Sequence, residues 1–267
     1  MNSYHFENNI KLAEAAAEEG IVLLKNNGVL PFERGVKVGI LGGGCLSLVK
    51  GGGGSADVIS ACETTVLSGL ESAETRGLIC LDRASVAAAE NGKYTIETLN
   101  ALAEKADVFV YSLSRYASEG GDRKITHPAD ETEQKTNAEA VQGEVYSDPN
   151  GGFVTAYRLT KNERTFFSML EKSNVQNVVL IANTAGLIDF SKLENYPKIK
   201  AIVLAFLPGM SGGEALAKML TGEVNPSGRL SDTAAKAYED YPSAATFNIS
   251  CENADYNEDI YVGYRHF

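Results

Sequence analysis

The apolar positions of this chain fall into short dense runs separated by longer amphipathic stretches. Val36–Leu41 (VKVGIL), Asp107–Ser112 (DVFVYS), Asn177–Ala182 (NVVLIA) and Ala201–Phe206 (AIVLAF) are rich in β-branched residues and barely alternate polar with apolar positions. A strand with one wet face alternates, so runs of this kind predict strands covered on both faces, as in parallel sheets. Asn8–Glu19, which contains KLAEAAAEE, has the composition of a strong helix former; Gly20 ends it, and Ile21–Leu24 (IVLL) predicts a further short strand. Between the strands lie helical stretches, and three Ser/Thr-x-x-Glu patterns read as capping boxes at their starts: Ser60/Glu63, Thr160/Glu163 and Ser211/Glu214. Strand and helix alternate at least four times, which predicts an α/β fold around a mostly parallel sheet. Ligand sites in such folds lie in loops at the carboxyl ends of strands. The loops of interest therefore follow Leu41, Ser112, Ala182 and Phe206. One segment breaks the rhythm: from Lys124 to Tyr157 the chain is polar and shows no sustained period, as expected of a functional or disordered insertion. No internal repeat or second domain boundary is visible, so residues 1–267 read as one large α/β domain.

Composition narrows the partners. The chain has 24 basic against 35 acidic residues, a net charge of −11, so no electrostatic attraction draws it to nucleic acid or to an anionic membrane surface. The 44% apolar content is ample for a sizeable core. Cys45, Cys62, Cys80 and Cys251 lack CxxC spacing and read as reduced structural thiols. Residues 1–9 have neither a basic nor an apolar signal region, and no apolar run is long enough to span a bilayer. With Met1 as the natural start, the expected compartment is the cytoplasm.

Three loops carry candidate chemistry. Ser114-Arg-Tyr-Ala-Ser-Glu119-Gly-Gly-Asp-Arg-Lys124 follows a predicted buried strand and places Glu119 before two glycines, which allow close approach of a bulky ligand. A carboxyl held there could protonate a leaving oxygen if partial burial kept its pKa near working pH. The alternative from composition is a solvated loop with an ion pair from Glu119 or Asp122 to Arg123. Leu41-Gly-Gly-Gly-Cys-Leu-Ser-Leu-Val-Lys50-Gly-Gly-Gly-Gly-Ser55-Ala-Asp57 invites a nucleotide reading, but neither GxGxxG nor GxxxxGK[ST] is satisfied. Backbone close to a ligand and a tight crossing of loops are both consistent with it. Leu207-Pro-Gly-Met-Ser-Gly-Gly-Glu214 reads as mostly architectural, and Asn225-Pro-Ser-Gly228 as a turn. His5, His127 and His266 are scattered, so no metal site and no other cofactor is expected, and no GxSxG elbow occurs.

Taken in order, Gly20-Ile-Val-Leu-Leu-Lys-Asn26 with Leu30-Pro31, Lys50-Gly-Gly-Gly-Gly-Ser-Ala-Asp57, Ser118-Glu-Gly-Gly-Asp-Arg-Lys124, Leu207 to Glu214, Gly222-Glu-Val-Asn-Pro-Ser-Gly-Arg-Leu230 and Glu258-Asp-Ile-Tyr-Val-Gly-Tyr-Arg265 resemble one family. It is the α/β sandwich domain of family 3 glycoside hydrolases, the β-glucosidase family, and the resemblance covers nearly the whole chain. It implies a three-layer α/β sandwich belonging to a two-domain retaining enzyme that cleaves a β-linked oligosaccharide or glycoside. In such an enzyme a TIM-type barrel binds the sugar and supplies an aspartate nucleophile, and the sandwich lends an acid/base glutamate. Glu119 matches that glutamate. Ser55 matches a position that faces the sugar in some relatives, and Asp122 and Arg123 match residues expected to shape the acid/base loop.

The chain departs from the family pattern in three places. Ser118 stands where many relatives have glycine, and Asp232-Thr-Ala234 replaces a run that often ends in tryptophan. The third departure is the barrel: 267 residues leave no room for a further domain of about 250 residues, so a TIM-type barrel is expected in cis or in trans. A start at Met1 fits the subset of the family with the sandwich first and the barrel after it. The alternative function is a non-catalytic carbohydrate-binding or interaction module with the same fold.

Overall fold

The computed structural model of the chain describes residues 3–119, 141–142, 156–247 and 256–267. In chain order the elements are α1 (Ser3–Gly20), β1 (Val22–Asn26), β2 (Val36–Leu41), α2 (Val66–Thr75), β3 (Ile79–Leu81), α3 (Arg83–Asn91), β4 (Lys93–Tyr94), α4 (Ile96–Ala103), β5 (Val108–Arg115), β6 (Val141–Gln142), α5 (Lys161–Lys172), β7 (Val178–Thr184), β8 (Ile199–Leu204) and α6 (Gly212–Thr221). Six strands form one sheet in the order β1-β8-β7-β5-β2-β3, and β4 pairs with β6 in a separate two-stranded ribbon. All pairings in the six-stranded sheet are parallel except that of the edge strand β1, which runs antiparallel to β8.

The dense apolar runs are explained by two cores, one on each side of the sheet. From β5, Val108 and Val110 enter one core while Phe109, Tyr111 and Leu113 enter the other; β7 splits in the same way, with Val179 and Ile181 opposite Val178, Leu180 and Ala182. The first core is closed by Ala17 of α1, Val66, Leu70 and Ala73 of α2 and Ala215, Leu216, Met219 and Leu220 of α6. The second is closed by Leu99 and Leu102 of α4 and Phe166, Phe167, Met169 and Leu170 of α5. Helices on both faces make this the three-layer α/β sandwich that the resemblance implied.

Several boundaries differ from the sequence reading, each for a local reason. β5 and β7 run three and two residues past the apolar stretch, to Arg115 and Thr184, because their polar ends are satisfied inside the protein. β8 stops at Leu204, and Phe206 just beyond it has φ +52°, a left-handed conformation that ends a strand and is uncommon outside glycine. Ser60 and Glu63 cap nothing. Helix α2 starts later, at Thr65, whose hydroxyl accepts from Ser68 N–H while Ser68 Oγ accepts from Thr65 N–H. Thr160 and Glu163 do form the expected box.

At α6 the Ser211 hydroxyl makes no cap bond. Instead Thr64 Oγ1, from the chain entering α2, accepts from Gly213 N–H (3.0 Å) and Glu214 N–H (3.4 Å), and the Glu214 carboxylate goes to Arg76 at 2.6 Å. The exchange follows from how closely α2 and α6 pack. A Cβ at Gly213 would overlap the Thr65 carbonyl, and one at Gly69 would overlap the carbonyl of Gly213. Gly212 and Gly213 are thus packing positions, whereas Gly209, with open space around it, serves a left-handed turn at φ +74°, an architectural role in each case as their sequence context suggested.

The largest fully buried side chain among the described residues is a polar one, Arg115, the last residue of β5. Its Nη1 and Nη2 donate to the two oxygens of Glu163, both at 2.7 Å; Nε donates to Ala156 O (2.6 Å), Nη1 also to Ser114 O (2.9 Å) and Nη2 to Arg158 O (3.3 Å). Glu163 Oε2 accepts in addition from Thr160 N–H at 2.8 Å, so one carboxylate both caps α5 and neutralises the arginine. Removing one member of such a pair leaves a buried charge without compensation, at a cost of about 3–5 kcal/mol.

Two stability measurements test this account. Arg115→Met should lower the unfolding free energy by about 3–5 kcal/mol in urea denaturation. The Arg115→Met/Glu163→Leu double variant should recover only part of it, because the carbonyls of Ser114, Ala156 and Arg158 still lose their donor. Gly213→Ala should cost at least the ~1–3 kcal/mol of an overpacked core, whereas Gly20→Ala, with nothing within 4 Å of the added Cβ, should cost far less in the same assay.

Candidate functional site

In the sheet, β2 lies between β3 and β5. The chain leaves β2 for β3 on one side and then crosses back to β5 on the other. This is the topological switch point of the sheet, where loops leaving adjacent parallel strands diverge and open a crevice at the carboxyl edge. The two loops bordering it are those after β2 and after β5, which carry Ser55 and Glu119.

The loops touch through backbone. Gly53 forms a parallel bridge with Ser118; Gly53 N–H donates to Ala117 O (3.0 Å) and Glu119 N–H donates to Gly53 O (3.4 Å). The glycine run makes this approach possible. A Cβ at Gly53 would overlap the Tyr116 hydroxyl, and one at Gly54, whose φ is +74°, would lie 2.6 Å from Glu119 Cβ. The Lys50–Ser55 stretch is therefore a tight crossing of loops, one of the two readings its sequence left open.

At the crossing, Glu119 Oε2 accepts hydrogen bonds from Ser55 N–H (3.0 Å) and Ser55 Oγ–H (2.7 Å). Both residues are exposed at the protein surface. The two Ser55 donors, first the backbone N–H and then the hydroxyl, hold the Glu119 carboxyl below the usual glutamate range. The partial burial expected to keep this acid near working pH is absent in the chain by itself, so Glu119 stands here as a carboxylate. Lys50, at the start of the glycine run, is ion-paired with Glu63, the residue that sequence had assigned to a helix cap. Beyond Ser55 the same loop carries Val58 and Ile59, 64% and 98% exposed. Asp122 and Arg123, the other two candidate residues, and nearly all of the polar stretch 124–157 lie outside the described residues.

Two residues that the sequence reading passed over hold the surrounding loops. Asn183, near the end of β7 and fully buried, accepts at Oδ1 from Val49 N–H (2.7 Å) and donates from Nδ2 to Val49 O (2.9 Å) and Phe206 O (2.7 Å). It ties the loop after β2 to the loop after β8 and holds the left-handed Phe206. Gly209 N–H adds a bond to Lys50 O at 2.9 Å. Arg115 anchors the other side of the crevice, four residues before Glu119. The available sequence signal was a polar side chain placed directly at the end of an apolar strand, where an unmet polar group would be costly. Among the described residues, no three His, Cys, Asp or Glu side chains stand close enough together to hold a metal ion, and no helix is long and apolar enough to cross a membrane.

Comparison with known proteins places the fold in a family. Residues 21–264 match the model of the glycosyl hydrolase family 3 C-terminal domain. The chain is 35% identical over 278 aligned residues to β-glucosidase A of Butyrivibrio fibrisolvens, covering 98% of this chain and 33% of that protein. It is 29% identical to a β-glucosidase of Ruminococcus albus, covering 96% and 26%. Among solved structures it resembles β-glucosidase 3B of Thermotoga neapolitana in complex with glucose, with a TM-score of 0.80, 25% identity and coverage of 98% and 36%. A β-glucosidase from Paenibacillus barengoltzii gives a TM-score of 0.80 at 28% identity, over 97% and 27%. The chain spans about a third or less of the length of these relatives. With its fold, its ordered motifs and a match over nearly its full length, the chain belongs to glycosyl hydrolase family 3 and corresponds to that family's C-terminal domain.

Proposed function

We propose that this domain supplies the acid/base carboxyl, Glu119, of a retaining β-glycosidase acting on β-linked glucosides, and that a TIM-type barrel domain in cis or in trans supplies the nucleophile. The observation that carries the reading is the position of Glu119: a carboxylate held by Ser55 across two glycine-rich loops at the sheet's topological switch point. The names of the relatives, all β-glucosidases, support the substrate class.

The reaction divides into two halves. First, a protonated Glu119 gives its proton to the glycosidic oxygen as the nucleophile attacks the anomeric carbon, and the leaving group departs as an alcohol. Second, the Glu119 carboxylate takes a proton from water as the water oxygen bonds the anomeric carbon and displaces the nucleophile. The two carboxyls of a retaining pair stand about 5–5.5 Å apart, and this reading places the second on a barrel surface docked on the crevice.

Such docking also answers the acidity problem. The exposed, Ser55-bound carboxylate of the lone domain is a poor proton donor near neutrality, and burial against a partner would raise its pKa. Val58 and Ile59, exposed on the Ser55 loop, suit an apolar contact at this edge. By this reading the domain alone is inactive.

A chimera tests the proposal: this chain replaces the matching third of Butyrivibrio fibrisolvens β-glucosidase A. The chain alone should not hydrolyse aryl β-glucosides, and the chimera should. Glu119→Gly in the chimera should cut kcat/KM for a poor leaving group by about 10²–10⁴-fold and affect an activated dinitrophenyl glucoside far less. Azide should restore turnover with release of a β-glucosyl azide, because an anion that needs no deprotonation can attack the glycosyl-enzyme. Unchanged hydrolysis of the poor substrate by Glu119→Gly would falsify the acid/base assignment.

A further inference from the structure

Ser55 and Glu119 meet twice, and both contacts fall on one atom. The Ser55 N–H and Oγ–H donate to Glu119 Oε2 at 3.0 and 2.7 Å. A carboxylate oxygen that already accepts two hydrogen bonds is a poorer proton acceptor than its partner oxygen. Hydrogen bonds to the charged form also favour that form over the neutral acid. We propose that Ser55 is a positioning residue of the reaction: it fixes the orientation of Glu119 and leaves Oε1 as the oxygen that gives and takes the proton. The inference rests on the reading of Glu119 as the acid/base.

The backbone around the pair supports a positioning role. Glu119 N–H is bonded to Gly53 O, and Gly53 N–H to Ala117 O, so the two loops are pinned on either side of the Ser55–Glu119 contact. The left-handed Gly54 brings Ser55 N–H onto the carboxylate, with no room for a side chain of its own between them. Other titratable groups on the two loops do not take over this role. Lys50 is paired with Glu63, the Tyr116 hydroxyl lies against Gly53, and Asp57 follows Ser55 with no bond to Glu119 among the described residues. Asp122 and Arg123, further along the Glu119 loop, lie outside the described residues.

The consequence for the two halves of the reaction is unequal. Glu119 must be protonated at Oε1 to assist departure of the leaving group and ionised to accept the proton of water. Two donors on Oε2 stabilise the ionised form, so Ser55 favours the second half and holds back the first. Losing the Oγ donor should therefore raise the Glu119 pKa. A group needed in its protonated form loses function as pH rises through its pKa, so the alkaline limb of kcat/KM should move to higher pH.

The direct test needs no activity. The Glu119 carboxyl carbon is titrated by NMR in the 267-residue chain, its resonance identified by comparison with Glu119→Gln, in the wild type and in Ser55→Ala and Ser55→Thr. The midpoint should lie below the ordinary glutamate range in the wild type, rise in Ser55→Ala, and return towards the wild-type value in Ser55→Thr, which restores a hydroxyl. A Ser55→Ala protein with an unperturbed fold and an unchanged midpoint would overturn the proposal.

In the chimera, kcat/KM against pH should show the alkaline limb displaced upward in Ser55→Ala and restored in Ser55→Thr. The two readings fail differently. If Glu119→Gly impairs the chimera but the limb stays fixed in Ser55→Ala, the role given to Ser55 is wrong. If Glu119→Gly leaves the chimera unimpaired, the acid/base reading itself is wrong.

Discussion

The buried bidentate pair between Arg115 and Glu163 is the constraint on which the candidate site depends. Arg115 ends the central strand β5, and Glu163 lies in the first turn of α5, whose entry it also caps. The guanidinium is further saturated by the carbonyls of Ser114, Ala156 and Arg158. An ion pair of this kind contributes little net stability, because desolvation offsets much of its attraction. Its value lies in specificity: a buried charge tolerates no arrangement that leaves it unpaired. The end of β5 is thereby locked to the helix that closes the second core, and the loop that carries Glu119 begins from a fixed point.

On the other side of the crevice the constraint is steric and amide-based. Asn183 uses its carbonyl and both ends of its donor capacity to clamp Val49 and Phe206, and the left-handed backbone at Phe206 persists because that clamp and the neighbouring loop contacts over-determine it. Glycines at 53 and 54 then let the clamped loop reach the loop that carries Glu119. The carboxylate itself is exposed, yet the frame that presents it is among the most deeply buried polar structure in the domain. A surface group placed by buried polar contacts can meet a partner without first being ordered, which lowers the entropic cost of association.

Much of this architecture was legible in sequence, for identifiable reasons. The apolar runs at Val36, Val108, Val178 and Ala201 predicted strands because burial on both faces removes alternation, and the Thr160/Glu163 box marked a helix start correctly. The same box motif marked no helix start at Ser60, and at Ser211 it marked the start correctly although the box itself does not form. A capping pattern records what two side chains can do, whereas Thr64 of another segment reached the α6 N-terminus first and Arg76 drew Glu214 away. The polar strand ends at Arg115 and Asn183 read as loop because their partners, Glu163 and Val49, are far away along the chain. Loop position and family resemblance singled out Glu119 and Ser55 as candidates, but not the bond between them. It depends on the crossing of two glycine-rich loops, and no local pattern encodes such a crossing.

The Arg115 clamp also bears on how this scaffold could diversify. Its contacts at Ser114 on one side and Ala156, Arg158 and Glu163 on the other tie the end of β5 to the entry of α5. Closure entropy grows only logarithmically with loop length, so doubling an insertion between two fixed points costs about 0.6 kcal/mol. With both ends held, the length of chain that joins them is a variable separate from the stability of the framework, which the clamp and the two cores decide.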